Sequence, residues 1–127
     1  MKTPIIFNIA LAAGVARTTA SRRISYPFRI TKIRLNFPIG SEYEIEVLVF
    51  ISDDAMTAND TVPNGIDIFR ILNIEKPAVG NAEVIEMNCD IKVAEGDKYI
   101  HVYVLNNDTN AHKFMAVVEI ESLERRH

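Results

Sequence analysis

The sequence predicts an all-β fold: a single antiparallel β-sandwich of the jelly-roll kind, with roughly seven to eight strands. Three observations predict it. Apolar and polar residues alternate with period two over several long segments. Turn-forming clusters of Pro, Gly, Asn and Asp separate those segments. No segment carries the three-and-four spacing of an amphipathic helix.

The first element is the run Ile5 to Ala16. It is short enough to resemble a secretory signal, but Asn8 interrupts its apolar stretch and Lys2 is its only flanking charge. It is read as a strand over residues 4–11. The next strand covers 23–37 and changes phase along its length. Phe28 and Ile30 are even, whereas Ile33, Leu35 and Phe37 are odd, so a β-bulge is expected near Thr31-Lys32. Two strands joined at that bulge would also satisfy the pattern.

The third strand, 43–52, sets Tyr43, Ile45, Val47, Val49 and Ile51 on one face and Glu44 and Glu46 on the other. Strands at 66–74, 83–93, 98–106 and 113–122 complete the set. In 83–93, Ile85, Met87, Cys89, Ile91 and Val93 alternate with Glu86, Asn88, Asp90 and Lys92. In 113–122, Phe114, Ala116, Val118 and Ile120 form the apolar face. One wet face and one dry face is the signature of antiparallel sheets. Val47 to Ile51 and Ile100 to Leu105 are apolar on both faces, the latter broken by His101, and such strands belong in the middle of a sheet or under a contact. Pro38 to Ser41, Asn64-Gly65 and Ala94 to Lys98 read as turns, with Gly96 available for a positive φ.

The chain has 127 residues, about the modal size of one domain. Without repeats, linkers or low-complexity tracts, residues 1–127 are read as one domain. Cys89 is the single cysteine, so no intrachain disulfide forms. A net charge of −3 offers no electrostatic reason to bind nucleic acid. No run approaches the roughly 18 apolar residues of a membrane span, and a soluble protein is expected.

The chemistry-bearing residues fall into three groups. The loop Ser52 to Asn64 offers the oxygen donors Asp53, Asp54, Asn59 and Asp60, the type calcium prefers. Their spacing is not that of an EF-hand, and Asx-turns explain the same residues. The second group is Tyr99, His101 and Tyr103 on one strand face, with Asn107, Asp108 and Asn110 in the following loop. An aromatic strand face and a polar end loop suit glycan recognition or a subunit contact. The simpler reading is a half-buried strand face with polar tips in water, followed by a hairpin loop rich in turn formers.

The third group is basic. Lys2, Arg17, Arg22, Arg23, Arg29, Lys32 and Arg34 all precede the first acidic residue, Glu42. Two readings are open. Arg22, Arg23, Arg29, Lys32 and Arg34 form a basic surface that meets an acidic surface of another molecule, or they are neutralised by acidic strands of their own sheet.

Catalytic patterns are missing from the sequence. Cys89 sits mid-strand on an apolar face, no Gly-x-Ser-x-Gly or Gly-rich phosphate loop occurs, and the histidines His101, His112 and His127 lack zinc-site spacing. The pairs Glu44/Glu46 and Glu119/Glu121 are explained as wet strand faces. The chain is expected not to be an enzyme and to use no cofactor.

Pro27-Phe28-Arg29-Ile30-Thr31-Lys32-Ile33-Arg34-Leu35-Asn36-Phe37-Pro38-Ile39-Gly40, followed by Glu42 to Ile51, resembles the opening strands of small jelly-roll modules. Gly96-Asp97-Lys98-Tyr99-Ile100-His101-Val102 resembles a late turn and strand of the same modules. Such modules occur as virion accessory or decoration proteins and as carbohydrate-binding domains. The resemblance and the empty catalytic inventory imply a non-catalytic structural protein that self-associates in a virion, phage or cell-surface assembly. The alternative is a carbohydrate- or calcium-dependent ligand-binding module. The expected partners are copies of the chain itself, other assembly proteins, or a glycan.

Overall fold

A computed structural model describes residues 2–14, 16–38, 44–53, 65–71, 78–79 and 83–123. Its elements are β1 (Lys2–Leu11), β2 (Ala16–Ile24), β3 (Phe28–Asn36), β4 (Ile45–Ser52), β5 (Ile66–Asp67), one helical turn α1 (Ile68–Ile71), β6 (Ala78–Val79), β7 (Val84–Val93), β8 (Lys98–Asn106) and β9 (His112–Ser122). The described residues form two antiparallel sheets. Sheet A runs β1-β9-β3-β7, and sheet B runs β2-β8-β4-β5 with β6 also on β4.

This is a jelly-roll β-sandwich. β1 pairs β9, β2 pairs β8, β3 pairs β7 and β4 pairs β5, as in one long hairpin folded at its middle. Rolling that hairpin lays β9 beside β3 and β8 beside β4. Alternate strands thereby enter opposite sheets, and the inward residues of both close on one core.

The core follows the alternation. Ile5, Phe7, Ile9 and Leu11 of β1 are buried, as are Phe114, Ala116, Val118 and Ile120 of β9. Ile45, Val47, Val49 and Ile51 of β4 meet Ile100, Val102 and Val104 of β8 from the other sheet's side of that core. Phe37 and Phe114 pack edge to face at 5.4 Å, a favoured arrangement of ring quadrupoles.

The bulge falls where the phase change requires it, between Ile30 and Lys32. Its effect grows across the sheet. Between the same two inward rows, β9 takes two residues (Ile120 to Val118), β3 three (Ile30 to Ile33) and β7 four (Ile91 to Met87). A sheet that lengthens from strand to strand must bend toward its short side. Thr31, the extra residue of β3, is held by its hydroxyl, which donates to the Glu119 carboxylate at 2.8 Å.

Three sequence expectations are corrected. The strand expected at 23–37 is two strands, β2 and β3, broken at Ser25-Tyr26-Pro27. β2 begins at Ala16 because β8 supplies its hydrogen-bond ladder, which compensates for a composition of Thr, Ser, Ala and Arg with little to bury. The strand expected at 66–74 gives way after Asp67 to α1. The Asp67 carboxylate accepts the Phe69 N–H at 3.0 Å, a helix N-cap, and Ile68 and Phe69 are both fully buried. The positive φ of the β7–β8 turn belongs to Asp97, at 60°, rather than to Gly96. Gly96 is needed for a different reason: a Cβ there would stand 2.8 Å from the Ser25 carbonyl oxygen.

Candidate interaction surfaces

β8 carries the Tyr99, His101 and Tyr103 face on the outside of sheet B, opposite Thr19, Ser21 and Arg23 of β2 and Leu48, Phe50 and Ser52 of β4. Period-two geometry brings those residues together, and the centre of the face is dry while Ser21 and Arg23 at its β2 edge are exposed. His101 is 0% exposed, and Phe50 and Tyr103 are buried. The imidazole spans three strands: Nδ1 lies 2.6 Å from Ser21 Oγ and Nε2 lies 2.8 Å from Ser52 Oγ. A neutral ring donates through one nitrogen and accepts through the other, and a hydroxyl matches either role. Tyr99 stacks on the ring, nearly parallel at 6.0 Å. The His101 ring is thus an interior brace, and it presents no face to solvent on which a sugar would stack.

The β8–β9 loop spends its polar atoms on itself. Buried Asn106 donates to the carbonyls of Ala12 and Asn110 and accepts from the Asp108 N–H. Asn107 donates to the Glu46 carboxylate at 3.0 Å. Asp108 and His112 meet at 2.6 Å. The hydrogen bond from His112 holds the Asp108 carboxyl below its usual value. Asn107 and Asp108 are therefore engaged within the loop, and Asn110, with its carbonyl taken by Asn106, keeps an exposed side chain.

Of the oxygen donors proposed from sequence, Asp54, Asn59 and Asp60 lie outside the described residues. Asp53 is exposed and pairs with Lys98 of β8, whose ammonium also reaches Glu95 at 3.4 Å. The hydrogen bond to Asp53 raises Lys98 above its usual value, and Glu95 adds to it. These residues rim a cleft of about 580 Å3 between the β7 and β5 edges, floored by Ile51, Ile66, Ile91 and Val93.

The basic residues divide. Arg29 pairs with Asp90 of β7 at 2.8 Å and Glu121 of β9 at 3.5 Å, and Arg34 reaches Glu86 of β7 at 4.0 Å. Lys32 lies opposite Asn88 and Glu119. The basic strand β3 is thus set between two acidic neighbours in its own sheet. β2 has no acidic neighbour strand. Arg23 pairs with Asp97 of the β7–β8 turn, and Arg22 is exposed with no ion-pair partner among the described residues.

Sequence reasoning missed where this leaves the charge. β1 and β2 touch along one flank of the sandwich, as the free edges of sheets A and B. Among the residues whose side chains are described, they carry Lys2, Arg22 and Arg23 and no acid. The opposite flank is the β7 edge over β5. From Glu83 to Val93 it carries Glu83, Glu86 and Asp90 against Lys92, whereas Asp97 of the following turn is turned to Arg23 of β2. The available signal was strand order: a hairpin rolled from its middle puts its N-terminal strands on one flank.

Cys89 sits half-buried on β7 with its thiol near the Ile30 carbonyl. Burial pushes the thiol above its usual value, and Asp90 adds to the shift, so it is a poor nucleophile. Among the described residues no helix is long and apolar enough to cross a membrane.

No protein-family model matches the chain, and no curated protein matches it significantly. Among solved structures it is similar to a chain in the structure of infectious bursal disease virus Gx strain, with 9% identity and a TM-score of 0.32, over 97% of this chain and 33% of that one. The chain thus spans about a third of that neighbour's length, and a likeness at this score carries no argument.

Proposed function

We propose that this protein is a non-catalytic structural module that self-associates head to tail, the basic flank of one copy meeting the acidic flank of the next. The observation that carries the reading is the separation of charge between the β1/β2 flank and the β7/β5 flank. Complementary patches steer encounter and set register. Because the two patches lie on different sides of one molecule, the contact is heterologous, and repeated copies close into a ring or extend as a filament. A virion, phage or cell-surface assembly is the setting in which such a repeated contact is useful. The jelly-roll sandwich supports that setting by analogy of fold, since capsid domains use it widely.

Sedimentation velocity across concentration tests this. Association is expected at low salt and weakens as salt rises. Arg22→Glu with Arg23→Glu shifts the protein to monomer while leaving its circular dichroism unchanged. A wild-type chain that stays monomeric at every concentration, or association indifferent to both salt and the double substitution, overturns it.

A further inference from the structure

We propose that the contact between copies is strand addition: β2 of one molecule pairs along the free edge of β7 of another, continuing sheet A by one strand. This rests on the head-to-tail reading above and specifies its geometry. Three long strands have one unpaired side among the described residues: β1, β2 and β7. An unpaired edge is a row of N–H and C=O groups that templates another strand unless it is blunted. β1 is blunted near its start by Lys2 and Pro4, and proline has no N–H to offer. β2 and β7 contain neither proline nor glycine.

The two strands match in length, with nine residues in β2 and ten in β7, about 30 Å each at strand rise. They also match in charge. On the outer face of β7, the side chains of Glu86 and Asp90 remain 50% and 77% exposed even with Arg34 and Arg29 beside them. Those arginines approach from β3, so the free-edge side of each carboxylate is open to another cation. β2 brings Arg23 on one face and Arg22 on the other.

β7 is also incompletely covered on its inner face. Among the described residues, the opposing edge of sheet B is made of two-residue pieces, β5 and β6. Ile85, Met87, Cys89 and Val93 are accordingly only half-buried, and Val84 is 55% exposed. An added strand would lie beside these residues in the plane of sheet A, with Ala20 and Thr18 of β2 on the Arg22 side.

Residue-resolved amide exchange by NMR, on the unmodified chain below and above its association concentration, tests the proposal. Strand addition protects alternate β7 amides, those pointing away from β3, by more than tenfold, and alternate β2 amides likewise. A second measurement uses Cys89→Ser chains, one carrying Arg23→Cys and the other Glu86→Cys, mixed under mild oxidation; a mixed disulfide dimer is expected. Association without β7 protection and without the mixed disulfide overturns strand addition and leaves the head-to-tail reading standing. A chain that never associates removes both.

Discussion

The outer faces of sheets A and B are written in the same alternating code and end in opposite states. On sheet A the outward residues of β1, β9, β3 and β7 form a wet ladder of ion pairs: Lys2 with Glu119, Arg29 with Glu121 and Asp90, Arg34 with Glu86. On sheet B the outward residues of β2, β8 and β4 include a buried histidine bonded to two serines, flanked by Phe50 and Tyr103. The difference teaches that alternation assigns a side chain to a face and leaves open whether that face meets water. Surface ion pairs on the first face add little stability each. The buried groups at the centre of the second face are subject to interior rules, where volume and hydrogen-bond satisfaction decide.

The largest expected effect comes from removing an outward ring. Phe50→Ala on sheet B, where the ring is 6% exposed, lowers unfolding free energy by about 3 kcal/mol in urea denaturation, as for a core phenylalanine. Ile6→Ala on sheet A, at 47% exposed, costs less than about 1 kcal/mol. Equal losses would erase the distinction between the faces.

A smaller contrast separates the polar networks. His101→Phe keeps most of the ring volume and takes a partner from Ser21 and Ser52, so it costs about 2 kcal/mol. Arg29→Ala costs under about 1 kcal/mol, and the loss fades in high salt. A salt-sensitive His101 variant with a salt-insensitive Arg29 variant would reverse the assignment of dry and wet faces.

The smallest effect concerns the loop that passes from sheet B to sheet A. His112 holds the Asp108 carboxyl below its usual value. A carboxyl with a lowered folded value contributes stability above its unfolded value and loses it as pH falls through the folded one. The stability gap between wild type and Asp108→Asn is therefore expected to be present near neutrality and to close as acid is added. A gap that widens in acid would show that the pairing does not act in this direction.

Much of the scaffold was readable in advance. The alternations in β4, β7 and β9 are long enough that only strands fit them, and the parity change at Thr31 located the bulge before any pairing was known. β2 was not readable, because its strand character is imposed by the β8 ladder and its own residues bury little. α1 was hidden for a different reason: Ile66 to Ile71 offers apolar residues to either periodicity, and the Asp67 cap on the Phe69 N–H favours the helical turn.

The candidate sites were legible as residues and illegible as relations. Tyr99, His101 and Tyr103 share a face, as period two requires, yet Ser21 and Ser52 stand 80 and 49 residues from His101 in the chain. Asn106, absent from the expected recognition set, turns out to organise the loop that Asn107, Asp108 and Asn110 belong to.

By itself the sequence determined the all-β class, the inward set of most strands and the excess of positive charge in its opening third. These are local properties, since side-chain direction along a strand repeats every two residues whatever lies beside it. Tertiary structure decided which charges are neutralised and which remain. The same N-terminal run feeds β3, set between acidic β7 and β9, and β2, left on an open flank. Strand order alone separates those outcomes, because a charge is quenched by its neighbours in space.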